Sequence, residues 1–229
     1  MQNAIGSHEL ALVSPQDFLD RMTDLWSQAP FNMHTTPALL GGWRVMVDYY
    51  RSVVLSNLSD TPHKPSFALP LPTGSGKTEG TCVYAALQAD RNVDHLRPLG
   101  VMIVTRLITD ADKVAAKINT LAGRSVAVAH HSENKQSASA MAKYDVLVIT
   151  HQAFMNAAEA FGAHEPDRWS VMHSWSGGIR SLIIVDEALA NAVDHTQSTS
   201  TDLDVVLRAV PHALREPYAE TGATRTVIR

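Results

Sequence analysis

Four short runs in this chain, VMIVT (101–105), SVAVAH (125–130), DVLVIT (145–150) and SLIIVDE (181–187), are apolar almost throughout rather than at every second position. A strand with one wet face alternates, whereas a strand covered on both faces does not. Between and after these runs fall helix-like patterns, TDADKVAAKINTLAG and HQAFMNAAEAFG, and a fifth run, SFALPL (66–71), is followed by TEGTCVYAALQA. Buried strands separated by helices predict an α/β fold, a mainly parallel sheet with helices on both faces. Right-handed crossovers then bring the strands' carboxyl ends, and the loops after them, to one edge of the sheet.

The first 60 residues read differently. SPQDFLDRMTDLW opens with a helix-start signal and carries Phe18, Leu19, Met22 and Leu25 at helical spacing. PALLGGWRVMVDYYRSVVLSNL offers a second helix, expected to start after Gly41-Gly42, and the two prolines of SDTPHKP then mark a linker. With 229 residues, 45% of them hydrophobic, the chain is long enough for one sizeable core. Its net charge of -4 argues against a generally cationic coat for nucleic acid, although residues 91–151 hold eight Lys/Arg against five Asp/Glu. The single cysteine, Cys82, excludes an internal disulfide and reads as a small core residue. No run is long enough to span a membrane, and the N-terminus lacks the basic start and apolar stretch of a signal peptide, so a cytoplasmic location is expected.

Between SFALPL and the next helical pattern lies LPTGSGKTEG (71–80). A strand, a glycine-rich loop, Lys-Thr and a helix form the arrangement that wraps backbone N–H groups around a di- or triphosphate. Gly74 and Gly76 let the backbone approach the oxygens. Lys77 is placed to bridge the outer phosphates, and Thr78 to offer its hydroxyl to Mg²⁺. The common pattern asks for another glycine at position 71, where this chain has Leu71. A partner carboxylate is expected at another strand end, and LIIVDEAL (182–189) supplies Asp186-Glu187 at the tip of an apolar run. Asp186 suits an outer-sphere or water-mediated Mg²⁺ ligand, and Glu187 a base that orients and deprotonates the attacking water. Taken alone, the acidic pair is equally compatible with the cap of a following helix.

The string Pro72-Thr73-Gly74-Ser75-Gly76-Lys77-Thr78 resembles motif I of the superfamily-two helicases, which lack that first glycine, and the whole pattern resembles the first RecA-like domain of the DEAD/DEAH-box helicases and translocases. The resemblance implies an ATP-binding domain over 61–229 behind a helical segment over 1–60. It also implies that ATP is held by residues 72–78 and Asp186, and Mg²⁺ by Thr78 and Asp186. Lys77 and Glu187 become the catalytic pair of a nucleic-acid-dependent ATPase. VMIVTRLITDADKV resembles motif Ia and YDVLVITHQAF a later motif, which implies that Thr105, Arg106, Thr150 and His151 contact the backbone of DNA or RNA. Alone, Arg106 is equally compatible with a solvated arginine and Thr150 with a helix cap.

The chain departs from the family at three places. The box reads D-E-A-L, with Leu189 where the family couples hydrolysis to its neighbouring domain. No glutamine lies between Gln28 and Gln88 to read adenine, which leaves Trp43 and Tyr50 as stacking candidates beside their ordinary role as core residues. Motifs of a second RecA-like domain, with its arginine fingers, do not occur in these residues, so weak hydrolysis by this chain alone is expected, with a second chain or domain as partner. Two rivals stand beside the motor domain. One is a catalytically silent remnant that binds a nucleotide or a protein; the other is a P-loop phosphotransferase, against which the V-D-E-A box speaks. Adjacent His130 and His131 read as strand-end and loop residues rather than metal ligands.

Overall fold

The structure, a computed structural model, describes residues 11–59, 66–93, 95–162, 166–186, 215–220 and 223–228. The chain divides into two compact units, Met1–Leu189 and Ala190–Arg229. In the first unit, α1 (Pro15–Ser27) starts where Ser14 Oγ accepts the Asp17 N–H at 3.0 Å and Pro15 presets the helical backbone. Its buried residues, Phe18, Met22 and Trp26, recur every fourth position and form one apolar stripe.

Helix α2 (Pro37–Leu58) corrects the expectation from the sequence. It begins ahead of Gly41-Gly42 rather than behind the pair, with Thr36 Oγ1 accepting the Leu39 N–H at 3.2 Å and Pro37 in the first turn. Gly42 sits inside the helix because Leu71 packs there: a Cβ on it would lie 3.0 Å from Leu71 Cδ2. Helices α3 (Lys77–Asn92) and α4 (Ile108–Ala122) follow, the second ending at Gly123 with φ +66°. The short α5 (Ala138–Met141), α6 (His151–Gly162) and α7 (Pro166–His173) complete the helices described in this unit.

The strands are β1 (Gly100–Thr105), β2 (Ala127–His130), β3 (Val146–Thr150), β4 (Ser174–Trp175) and β5 (Gly178–Val185), in the spatial order β2-β3-β1-β5-β4. The first four in that order are parallel, and only β4 pairs antiparallel to β5. The period of two divides the side chains between two cores. Val101, Ile103, Val146, Val148, Leu182 and Ile184 join α1, α2, α3 and α4 in one cluster. Met102, Val104, Leu147 and Ile149 meet Met141, Phe154 and Met172 from α5, α6 and α7 in the other. Helices thus cover both faces, and the unalternating runs have this as their cause.

One expected strand is absent among the described residues. Ser66–Leu71 runs without regular pairing, and the Leu71 N–H turns back to Leu69 O at 2.9 Å. Pro70 and Pro72 lack N–H groups, and residues two apart face the same neighbour, so one side of a ladder here has no donors at either position. In the second unit, β6 (Arg215–Glu220) and β7 (Ala223–Ile228) form an antiparallel hairpin that the sequence pattern did not suggest. Among the described residues no helix is long and apolar enough to cross a membrane.

Candidate active site

The loop expected to hold phosphate is a tight turn leading into α3. Gly74 and Gly76 have φ +80° and +79°, a left-handed backbone that a side chain disfavours. Ser75 closes the turn on itself, its N–H and its hydroxyl both donating to Pro72 O, at 3.3 and 2.7 Å. Gly76 then caps α3, whose first backbone bond runs from Gly80 N–H to Gly76 O at 2.8 Å. Free N–H groups and the positive end of a 16-residue helix therefore meet at this loop. Pro72, Thr73 and Gly74 are exposed along it.

Lys77 is half-buried, and its Nζ donates to Leu71 O at 2.6 Å and Pro72 O at 3.0 Å. The ammonium thus curls over the loop that it belongs to. One residue on, Thr78 Oγ1 donates to Asp186 Oδ2 at 3.0 Å, joining the start of α3 to the end of β5. The Asp186 N–H continues the ladder to Val104 O at 2.9 Å, and His151 Nε2 lies 3.2 Å from Asp186 O. The carboxylate therefore stands on a strand end fixed from β1 and from α6. Glu187 lies outside the described residues.

Lys77 and Asp186 line one cleft of about 740 Å³ together with Thr81, Asn57, Tyr49 and Phe67. Tyr49 and Phe67 stack with ring centroids 4.4 Å apart, an aromatic wall that the motif pattern did not indicate because it pairs α2 with the irregular Ser66–Leu71 segment. The two rings considered for base stacking are core residues. Trp43 is fully buried and donates Nε1–H to Ser75 O at 2.8 Å, and Tyr50, 8% exposed, lies 3.0 Å from Thr81 Oγ1. Burial pushes the Tyr50 phenol well above its ordinary range. It also pushes the Cys82 thiol up to about 12, in keeping with a core cysteine.

A second cleft, of about 880 Å³, opens at the carboxyl ends of β1, β2 and β3. Arg106, Thr150, His130, Lys135, Gln136 and Gln152 are among its lining residues. Of the four residues expected at nucleic acid, Arg106 and Thr150 share this cleft, with Thr150 Oγ1 also capping α6 by accepting the Ala153 N–H at 3.3 Å. Thr105 is 2% exposed and spends its hydroxyl on Leu107 O at 3.2 Å. His151 turns toward Asp186 instead. His130 ends β2 and accepts the Gln136 N–H at 3.0 Å, while buried His131 begins the turn after it and bonds Asp112 Oδ1 at 3.0 Å. No protein-family model matches the chain, and no curated protein sequence does.

Proposed function

We propose that this chain is an ATP-binding, nucleic-acid-dependent ATPase domain of the superfamily-two helicase kind, with a RecA-like core over 61–229. One observation carries the reading. The Thr78 hydroxyl and the Asp186 carboxylate, 108 residues apart, meet at 3.0 Å beside Lys77 and a left-handed glycine turn. A hydroxyl and a carboxylate oxygen at that spacing are hard donors of the kind Mg²⁺ selects, so the pair fits the ion. When bound, Mg²⁺ neutralises charge on the outer phosphates.

The chain's own residues account for the rest. Loop N–H groups and the α3 terminus hold the phosphates, and Lys77 exchanges its bonds to Leu71 O and Pro72 O for charge-assisted bonds to phosphate oxygens. Glu187, next along the chain from Asp186, takes a proton from the attacking water. The cleft beside Arg106, Lys135 and Gln136 suits a sugar-phosphate backbone, which is held by cations and amides without reading bases.

The test is nucleotide affinity and turnover. Lys77→Ala should fold normally and bind Mg·ATP roughly 100-fold more weakly, the consequence of losing one or two charged hydrogen bonds of about 1.5–3 kcal/mol each. Wild-type ATPase should rise when a single-stranded oligonucleotide is added. Equal affinity in the mutant would remove the phosphate-loop assignment. Binding without any turnover would favour the silent module.

A further inference from the structure

We infer that Trp43, on α2, is a positioning residue for the phosphate loop, and that its indole N–H fixes the orientation of the Ser75–Gly76 peptide. The inference rests on the phosphate-loop reading and adds to it a residue outside the loop motif. Three contacts from the N-terminal helices grip the loop in succession. Leu71 packs on Gly42, Ser75 O accepts from Trp43 Nε1 at 2.8 Å, and Gly76 lies under Trp26, where a Cβ would come within 2.8 Å of Cζ3. Trp26 and Trp43 themselves meet edge to face at 5.4 Å.

The middle contact has a directional consequence. The peptide between Ser75 and Gly76 is trans, and a planar trans unit points its C=O and its N–H in opposite directions. Holding Ser75 O against buried Trp43 therefore turns the Gly76 N–H away from α2. A peptide followed by glycine at φ +79° flips more easily than most, because on the Gly76 side no Cβ opposes either orientation. Flipped, it would present a carbonyl oxygen where an anion needs a donor. A hydrogen bond from a fully buried indole, packed against a second indole, is what resists that flip.

The experiment compares the wild-type chain with Trp43→Phe, which removes the N–H and keeps a ring. Mg·ATP and Mg·ADP affinities are measured calorimetrically, and glycine amides are followed by ¹⁵N NMR without nucleotide. The expected result is roughly 2- to 13-fold weaker binding of both nucleotides, the size of one neutral hydrogen bond. The free variant's Gly76 amide should shift or broaden while that of distant Gly123 stays in place. If Phe leaves a hole that unfolds the chain, the isosteric benzothienyl side chain, with sulfur for the indole N–H, is measured in its stead. Unchanged affinity with an unmoved Gly76 amide overturns the role of Trp43 and leaves the phosphate-loop reading standing. A wild-type chain that binds neither nucleotide overturns that reading, and the role of Trp43 with it.

Discussion

Arg180 shows how far a single side chain organises one end of the sheet. It is 0% exposed and donates to four carbonyl oxygens, of Met172, Ser174, Met141 and Tyr144, which belong to α7, β4, α5 and the turn before β3. Burial pulls its guanidinium down to about 10, still charged at neutral pH. Met141 O also accepts the Tyr144 N–H at 3.3 Å, but removing the guanidinium takes a donor from all four carbonyls at a buried place. Arg180→Met should therefore lower unfolding free energy by about 3–5 kcal/mol, since a buried carbonyl left without its donor costs about 1–3 kcal/mol and several lose theirs together. Arg180→Lys should recover little, because one ammonium cannot reach acceptors spread as widely as a planar fork does. Urea midpoints of the three proteins check this, and a Met variant as stable as wild type would contradict it.

At the scale of elements, β5 is the one to test. Its Asp186 N–H bonds Val104 O, and alternation sends Leu182 and Ile184 to β1 and Ser181, Ile183 and Val185 to the other side. On that other side Asn57 Nδ2 donates to Ser181 O at 2.7 Å, and among the described residues no strand pairs with Ser181–Val185 there. Native-state hydrogen exchange should find the Ile183 and Val185 amides faster than those of Leu182 and Ile184 by an order of magnitude or more. Equal protection would mean that another segment closes this edge. The strands themselves were legible in the sequence, since burial on both faces leaves a continuous apolar run. SFALPL matched that composition, but Pro70 within it and Pro72 just after it remove donors that a ladder needs. The start of α2 was hidden because two glycines read as a break unless one knows that Leu71 fills the space beside Gly42. The candidate site was legible only in part, for the same reason. Lys77, Thr78 and Asp186 are local motif residues, whereas Trp43 and Trp26 reach the loop, and Phe67 the cleft beside it, through tertiary packing that no local spacing encodes.

For the molecule as a whole, acidity is the condition most directly tied to its titrating groups. His130 and His173 both have their pKa lowered from the ordinary 6.5, first by burial and then by a neighbouring side chain, His131 or Arg180 respectively. The unfolded chain therefore takes up these protons before the folded one. Stability is fully present above pH 6.5 and falls as pH drops through the window between that value and the lowered folded values. Asp145 acts with the opposite sign nearer the carboxylate range, since burial raises it above 3.8 and the folded form binds its proton first. Urea midpoints should thus fall between pH 7.5 and 5.5, and His130→Gln combined with His173→Gln should flatten that fall; a slope unchanged in the double variant would place its origin elsewhere. The long reach of the Thr78–Asp186 bond has a consequence in time as well as in space. At about 5–20 residues per second of synthesis, the 108 residues between them take roughly 5–20 s to leave the ribosome. During that interval a nascent chain carries α1, α2 and the glycine turn with its lysine, and no carboxylate opposite. On the proposed reading, a nucleotide met at that stage would be held by the loop alone, so the grip on phosphate would precede the acid that completes the site.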